Sequence, residues 1–445
     1  MAVGSSPLTV AVAGCLAFLV AGSVACTRHT ERADNLLLIT LDTTRADHLS
    51  AYGYPLPTSP VLDALAARGA LFEQARSHVA STLPSHTSIM TGKLPPSHGV
   101  RWNGVVKVPS SETTLAEILA ANGFQTGAVI GAFPLERRFG LAAGFTDYDD
   151  RFEENAGPDT PRSWLPGGMW EGNQVQHFQR RAADVTDRAL GWLKGRQKRW
   201  FLFAHYFDPH HGYEAPPDIK GFPHPYDAEI AYADREIGRL LAAVQKMPGD
   251  TLIVVTADHG EGLGDHDEPM HSRFVYDTTI HVPLIFVLKG KIPAGRRITE
   301  PVTHVDLLPT VLELLALPVP EGLDGASLVP ALARGESIGG RPQYMESLAY
   351  SLKEDRTVTG IAEGDWKFIH TTTKETSTDE LYNLRGDPRE IRNVASLQPE
   401  RTQALAARLA DWSSRLASRG TASSPLTLDR DAIERLKALG YLDDR

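Results

Sequence analysis

A chain of 445 residues with 42% hydrophobic and 22% charged side chains has an ordinary globular composition and is long enough for one large domain plus a smaller one. Its formal net charge of -10, without any clustered run of Lys and Arg, excludes a nucleic-acid-binding surface, since phosphate backbones are held by basic patches. Both cysteines, Cys15 and Cys26, lie near the N-terminus, which removes disulfides, thiolate zinc sites and cysteine nucleophiles from the body of the protein.

Residues 1–27 carry no charged side chain and Leu8 to Ala25 is mostly apolar, so 1–26 reads as an export signal. Cys26, preceded by Ser23-Val24-Ala25, resembles a lipoprotein cleavage site, with an uncleaved membrane anchor as the alternative. Either places the protein in the periplasm or on a membrane through its N-terminus. A polar linker, 27–35, precedes the apolar run Leu36 to Leu41, which has the length and flanks of a buried parallel strand. It ends at Asp42, where open α/β sheets bind ligands. Ser59-Pro60 to Arg68-Gly69 carries helix start and stop signals. In Ser81 to Gly92, Pro84 fits the first helical position and Gly92 the C-terminal cap. Thr82 then sits at the dipole-positive entrance, a place suited to a nucleophile facing an anion; a structural Thr near a helix start is the commoner use of such a sequence.

Thr114 to Glu117 has capping-box spacing and opens a helix ending near Asn122-Gly123. Gln125 to Ile130 reads as a strand, and Arg151 to Gln176 as a long surface excursion without a clear period. Ala182 to Leu193 is an amphipathic helix, Trp200 to His205 a strand leading into Asp208-Pro209-His210-His211, and Tyr226 to Lys246 a long helix. Thr251 to Thr256 is strand-like and delivers Asp258-His259-Gly260-Glu261. Pro283 to Leu288 is one more strand and Val305 to Leu315 one more helix. This alternation predicts a largely parallel sheet covered on both faces. After Pro318 the pattern changes: Tyr344 to Glu346, Thr357 to Ile361 and Trp366 to His370 look like antiparallel strands, followed by a helix, Glu400 to Arg415. The expected organisation is a catalytic domain over 36–334, a small α+β subdomain over 335–415, and a linker with a short helical tail over 416–445.

Four strand-end or helix-start residues, Asp42, Thr82, Asp258 and His259, carry the chemistry. Two carboxylates, an imidazole and a hydroxyl suit a divalent cation such as Mn²⁺, Zn²⁺ or Ca²⁺. The chain here resembles the sulfatase family of the alkaline phosphatase superfamily. The resemblance is carried by Thr40-Leu41-Asp42-Thr43-Thr44-Arg45, Thr82-Leu83-Pro84-Ser85-His86 through Thr91-Gly92, His98-Gly99-Val100, Asp208-Pro209-His210, Asp258-His259-Gly260-Glu261 and Leu263-Gly264-Asp265-His266. Val282-Pro283-Leu284-Ile285, Trp366-Lys367 and Glu380 to Leu384 follow in the family's order. It implies the family's large mixed, mostly parallel sheet with helices on both faces and a small C-terminal α+β subdomain.

It also implies a metal held by Asp42, Asp258 and His259, Thr82 as the metal-bound nucleophile attacking sulfur or phosphorus in line, and His210 as general acid. His271 falls where sulfatases usually carry a Lys contacting the oxyanion. Asn103 lies where related phosphodiesterases and phosphonate hydrolases place an Asn on a non-bridging oxygen. Arg45 braces the site. His205 reads as packed or supporting, and His48 and His78 as bracing or surface residues.

The chain departs from sulfatases proper at Thr82, where they carry a Cys or Ser oxidised to formylglycine, and at His86, where they carry Arg. A formylglycine hydrate expels sulfate by collapsing to the aldehyde, whereas a Thr ester must be opened by water at the central atom. That route suits phosphate or phosphonate esters better than sulfate esters. Thr43 replaces a second metal-binding Asp and His259 a frequent Asn, which moves the preferred ion from Ca²⁺ towards Mn²⁺ or Zn²⁺. A two-metal variant would draw in Asp208, His211 and His271. The expected substrate is a small-molecule, glycan or lipid ester. The competing functions are a phosphotransferase to an alcohol and a catalytically inactive binding protein.

Overall fold

The computed structural model describes residues 1, 2, 4, 33–152, 179–197, 199–210, 212–348, 356–430, 432, 433 and 436. The export signal with Cys26, most of the 27–35 linker, the excursion beyond residue 152, His211 and most of the C-terminal tail lie outside the described residues. The chain divides into Met1–Glu31 and Arg32–Arg445, and every element named below belongs to the second unit.

An eight-stranded sheet organises this unit. Its strands are β1 (Asn35–Leu41), β2 (Ala70–Phe72), β3 (Gln125–Val129), β4 (Asp147–Asp149), β5 (Trp200–Tyr206), β6 (Thr251–Ala257), β7 (Leu284–Val287) and β8 (Arg296–Ile298). In space they run β8-β2-β7-β6-β1-β5-β3-β4. The central strands β1 and β5 are buried at every position, as is all of β6 after its first residue. Such strands read as continuous apolar runs because both faces are covered. The sheet is mixed. β7 runs antiparallel to both neighbours, β6 and β2, within the mixed, mostly parallel sheet that the family resemblance implies. The hydrophobic run alone does not encode direction; between β6 and β7 the longest helix is the four-residue Asp277–Ile280, and the chain enters β7 from a short two-residue strand, His281–Val282.

The longer helices are α1 (Pro60–Ala66), α2 (Thr82–Thr91), α3 (Leu115–Ala121), α4 (Ala182–Leu193), α5 (Pro225–Val244), α6 (Leu307–Leu314) and α7 (Pro399–Arg419). The Thr114 and Glu117 capping box is formed, satisfying two otherwise orphan N–H groups. α2 is buried along all ten residues although half of them carry hydroxyls. Thr87 and Thr91 donate to carbonyls one turn earlier, Leu83 and Thr87, at 2.7 Å each, so these hydroxyls enter the interior satisfied.

A second sheet of four antiparallel strands, β9 (Gln343–Leu348), β10 (Arg356–Glu363), β11 (Trp366–Thr373) and β12 (Ser377–Asn383), packs with α7. β12 does not show in the sequence as a strand, because its first half is exposed and polar, which hides the alternation. Buried Lys367 on β11 lies 2.9 Å from Asp277 and 2.7 Å from Glu390, while Arg76 beside β2 lies 2.7 Å from the other Asp277 oxygen. Among the described residues no helix is long and apolar enough to cross a membrane.

Candidate active site

Two strand ends create the centre of the site. β1 and β6 are parallel neighbours with Leu41 opposite Ala257, so Asp42 and Asp258 leave adjacent strands side by side. Both are fully buried, as is His259, and one ligand atom from each lies within 4.8 Å of the others. His259 Nε2 is 3.5 Å from Asp258 Oδ2 and 4.0 Å from Asp42 Oδ1. His259 Nδ1 is 2.9 Å from the Gly260 carbonyl, which can only accept, so the proton sits on Nδ1 and the Nε2 lone pair faces the carboxylates. Both Asp42 oxygens, Asp258 Oδ2 and His259 Nε2 have no hydrogen-bond partner. Converging buried acceptors without donors are costly on their own and fit a divalent cation.

The electrostatics carry the same mark. Burial pushes the Asp42 carboxyl up to about 6. Burial, reinforced by the Asp42 charge, pushes Asp258 up to about 7. Burial, reinforced by His271, lowers His259 to about 4, which keeps its ring neutral and able to ligate.

α2 brings its first turn, which begins at Thr82, against Asp258 of this centre. Ser81 is the N-cap and Thr82 itself is the first helical residue, so Pro84 stands third, not first as expected from the sequence. Proline is tolerated there because a first-turn N–H has no intrahelical acceptor. Three contacts hold the turn. Ser85 Oγ donates to the Asp258 carbonyl at 2.7 Å, and His86 Nδ1 donates to the Thr82 carbonyl at 2.8 Å while lying 3.7 Å from Asp258 Oδ2. Asn103 Oδ1 accepts from the Leu83 N–H at 2.7 Å. Asn103 Nδ2 is buried without a partner, a donor held ready beside the helix entrance.

On the other side, rings line up from His259 outward. The His259 and His271 centroids are 4.6 Å apart, and those of His271 and His210 are 5.4 Å apart. His210 stacks on Phe207 at 4.1 Å. Burial would lower the His271 pKa, but Glu261, 3.1 Å from Nδ1, outweighs it and raises it to about 9. The ring is therefore a cation at neutral pH. Glu261 is itself steadied by the Tyr213 hydroxyl at 3.0 Å.

Arg45 reaches Asp47 at 2.8 Å, Asp265 at 3.0 Å and the Glu261 carbonyl at 3.3 Å, a brace across the loop that carries Glu261. Thr43 donates its hydroxyl to the Pro209 carbonyl and its N–H to Asp258 Oδ1 at 3.2 Å, so it ties the Asp208-Pro209-His210 loop to the centre. Of the residues expected for a second metal, Asp208 lies 3.1 Å from the Arg181 guanidinium and His271 is engaged by Glu261. The second group of donors that the described residues bring together is instead His86, His205 and Asp258. Sequence reasoning gave no role to Glu261 or to His86 beyond their motifs. The available signal was alternation: Thr40 and Asp42, like Thr256 and Asp258, are two residues apart and share one face, where a polar side chain in an apolar strand marks a functional partner.

The family model described as Sulfatase matches residues 34–317, and the model described as N-sulphoglucosamine sulphohydrolase, C-terminal, matches 264–417. Arylsulfatase K of Xenopus laevis is 29% identical over 196 residues, covering 42% of this chain but only 36% of that protein, so the match spans about a third of its length. Human arylsulfatase A is 27% identical over 84% of this chain and 86% of its own. Among solved structures, BT4656 in complex with its substrate D-glucosamine-2-N,6-O-disulfate superposes with a TM-score of 0.71 at 21% identity, covering 87% of this chain and 99% of its own. The phosphonate monoester hydrolase of Agrobacterium radiobacter superposes with a TM-score of 0.69 at 22% identity, covering 86% and 96%.

Proposed function

The chain belongs to the sulfatase family of ester hydrolases, and from that premise we propose that it hydrolyses a phosphate or phosphonate ester, with Thr82 as nucleophile and a divalent cation held by Asp42, Asp258, His259 and Thr82. The observation that carries the reading is Thr82 itself, standing first in a buried helix whose opening turn is bonded to Asp258. A bound cation supplies charge neutralisation at the nucleophile and at the oxygens of the transferred group.

The remaining chemistry belongs to side chains. Thr82 Oγ, deprotonated before attack with its proton passed to solvent, forms a bond to phosphorus as the bond to the leaving oxygen breaks, and His210 gives that oxygen a proton. Water then attacks the phosphorus of the Thr ester, His210 takes one of its protons, and Thr82 leaves as the alkoxide, which restores the starting state. The His271 imidazolium and Asn103 Nδ2 donate to the non-bridging oxygens, where charge builds up.

A sulfate ester is the second reading, favoured by the names of the relatives. A rate panel on one purified sample decides between them: an aryl sulfate, a phosphate monoester, a phosphodiester and a phosphonate monoester, each with Mn²⁺, Zn²⁺ and Ca²⁺. The expected outcome is faster phosphoryl or phosphonyl transfer with Mn²⁺ or Zn²⁺. A robust sulfatase rate with negligible phosphoesterase rate contradicts the preference.

Metal uptake by this site is expected to depend on pH with a definite sign. Asp42 and Asp258 hold protons up to about pH 6 and 7, well above the ordinary carboxylate range, so the cation must displace them. Mn²⁺ affinity therefore rises between pH 5 and about 7.5 and levels off above, with protons released on binding. Isothermal titration in buffers of different ionisation enthalpy measures both effects, and a flat affinity across this range contradicts the assignment.

A further inference from the structure

The buried group of His86, His205 and Asp258 resembles a second cation site sharing a carboxylate with the first. Hydrogen bonding argues otherwise. His86 Nδ1 faces the Thr82 carbonyl, which can only accept, so it carries the proton, and His86 Nε2 at 2.9 Å takes the Thr40 hydroxyl. Both ring nitrogens are then used and none is left for a metal.

His205 is the informative member. It is fully buried on β5, opposite Thr40 of β1 in the parallel register, so its side chain shares a face with Thr40 and lies below the end of β1. Its Nδ1 accepts from the Gly131 N–H at 3.3 Å. In the neutral ring the proton is therefore on Nε2, which lies 3.3 Å from Asp42 Oδ2. A ring turned into a ligand would need its proton on Nδ1, donor against donor at Gly131. Gly131 is fitted to this contact: a Cβ there would stand 2.6 Å from the His205 carbonyl oxygen, 2.9 Å from the Phe207 nitrogen and 3.2 Å from His205 Nδ1.

We propose that His205 is a positioning residue for the metal ligand Asp42, with Gly131 N–H fixing its tautomer so that Nε2–H holds Asp42 Oδ2, and that it binds no second cation. This rests on the metal site of the proposed function. A donor on a ligating carboxylate fixes which oxygen faces the metal and in what direction. His205 Nε2 and Asp42 Oδ2 face each other at 3.3 Å, and each is buried without any other hydrogen-bond partner, so a small turn of the carboxylate completes a bond that satisfies both atoms.

The test titrates Co²⁺ into the metal-stripped full-length protein and records its visible absorption together with its affinity. His205→Ala is expected to bind Co²⁺ about 10–100-fold more weakly, the range typical of losing such a partner. His205→Gln, whose amide N–H can replace Nε2–H, is expected to stay within about threefold of wild type and to keep the wild-type band positions. Gly131→Ala is expected to weaken binding in the same direction as His205→Ala. Unchanged affinity in His205→Ala overturns the proposal, and so do shifted bands in His205→Gln, which would mark His205 as a direct ligand. If His205→Ala does not fold, the His205→Gln bands carry the decision. Wild-type protein that takes up no Co²⁺ overturns the metal site itself, and with it this role.

Discussion

Thr82→Ala is expected to lower turnover by at least about 10⁴-fold, some 5 kcal/mol of barrier, while leaving the fold intact. The cost falls on chemistry because the start of the helix is capped and held by other residues. Ser81, not Thr82, is the N-cap, and the first turn is held by Ser85, His86 and Asn103. Alanine is also a better helix former than threonine, so the melting temperature should stay close to that of the wild type. Thr82→Ser keeps the hydroxyl and should retain measurable turnover. A Thr82→Ala rate within about tenfold of wild type, roughly 1.4 kcal/mol, would place the nucleophile elsewhere. Single-turnover kinetics with quench sharpen the test, since a phosphorylated protein should accumulate only when residue 82 carries a hydroxyl.

Asp258→Asn is expected to act with opposite signs on metal binding and on the stability of the metal-free protein. The folded carboxyl is raised to about 7, first by burial and then by Asp42, far above its unfolded value. A carboxyl with a raised folded pKa binds more protons folded than unfolded, so its contribution to stability falls as pH rises from about 4 to about 7. At pH 8 the metal-free protein bears that full cost. Asparagine is nearly isosteric, still accepts at Oδ1 from the Thr43 and His259 N–H groups, and has no charge to bury. The metal-free variant should therefore be more stable at pH 8, on the order of 1–3 kcal/mol, with the gain vanishing below about pH 4. Cation affinity should fall well beyond the 10–100-fold that losing a supporting partner costs. Thermal melts with and without Mn²⁺ at pH 4 and pH 8 read both effects. Metal binding that survives, or a metal-free variant less stable at pH 8, would remove Asp258 from the ligand set.

The arrangement separates two kinds of demand on buried polar groups. Asp42, Asp258 and His259 are held with atoms unpartnered and are suited to a cation. Thr87, Thr91 and Lys367 are buried with their partners supplied and serve the fold. Unsatisfied acceptors that converge on one point, rather than buried polarity as such, distinguish the site in this interior.

Local patterns were legible wherever one residue type has one physical use. The apolar runs of β1, β5 and β6, the capping box of α3 and the helical period of α4 could each be read without neighbours, because period and cap chemistry are properties of a few adjacent residues. Positive-φ Gly92 closing α2 belongs with them. Pro84 shows the margin of such reading: its absent N–H suits several first-turn positions, so the sequence alone does not number the helix.

By itself, then, the sequence determined that Asp42 and Asp258 end strands, that Thr82 stands at a helix entrance, and that the motifs occur in the order of one family. Tertiary structure decided what these residues meet. Leu41 opposite Ala257 sets the two aspartates side by side, Thr40 opposite His205 brings an imidazole under Asp42, and antiparallel β7 breaks an otherwise uniform direction. Strand order and register depend on contacts between segments as far apart in the chain as Ala70 and Arg296, and no local period encodes them.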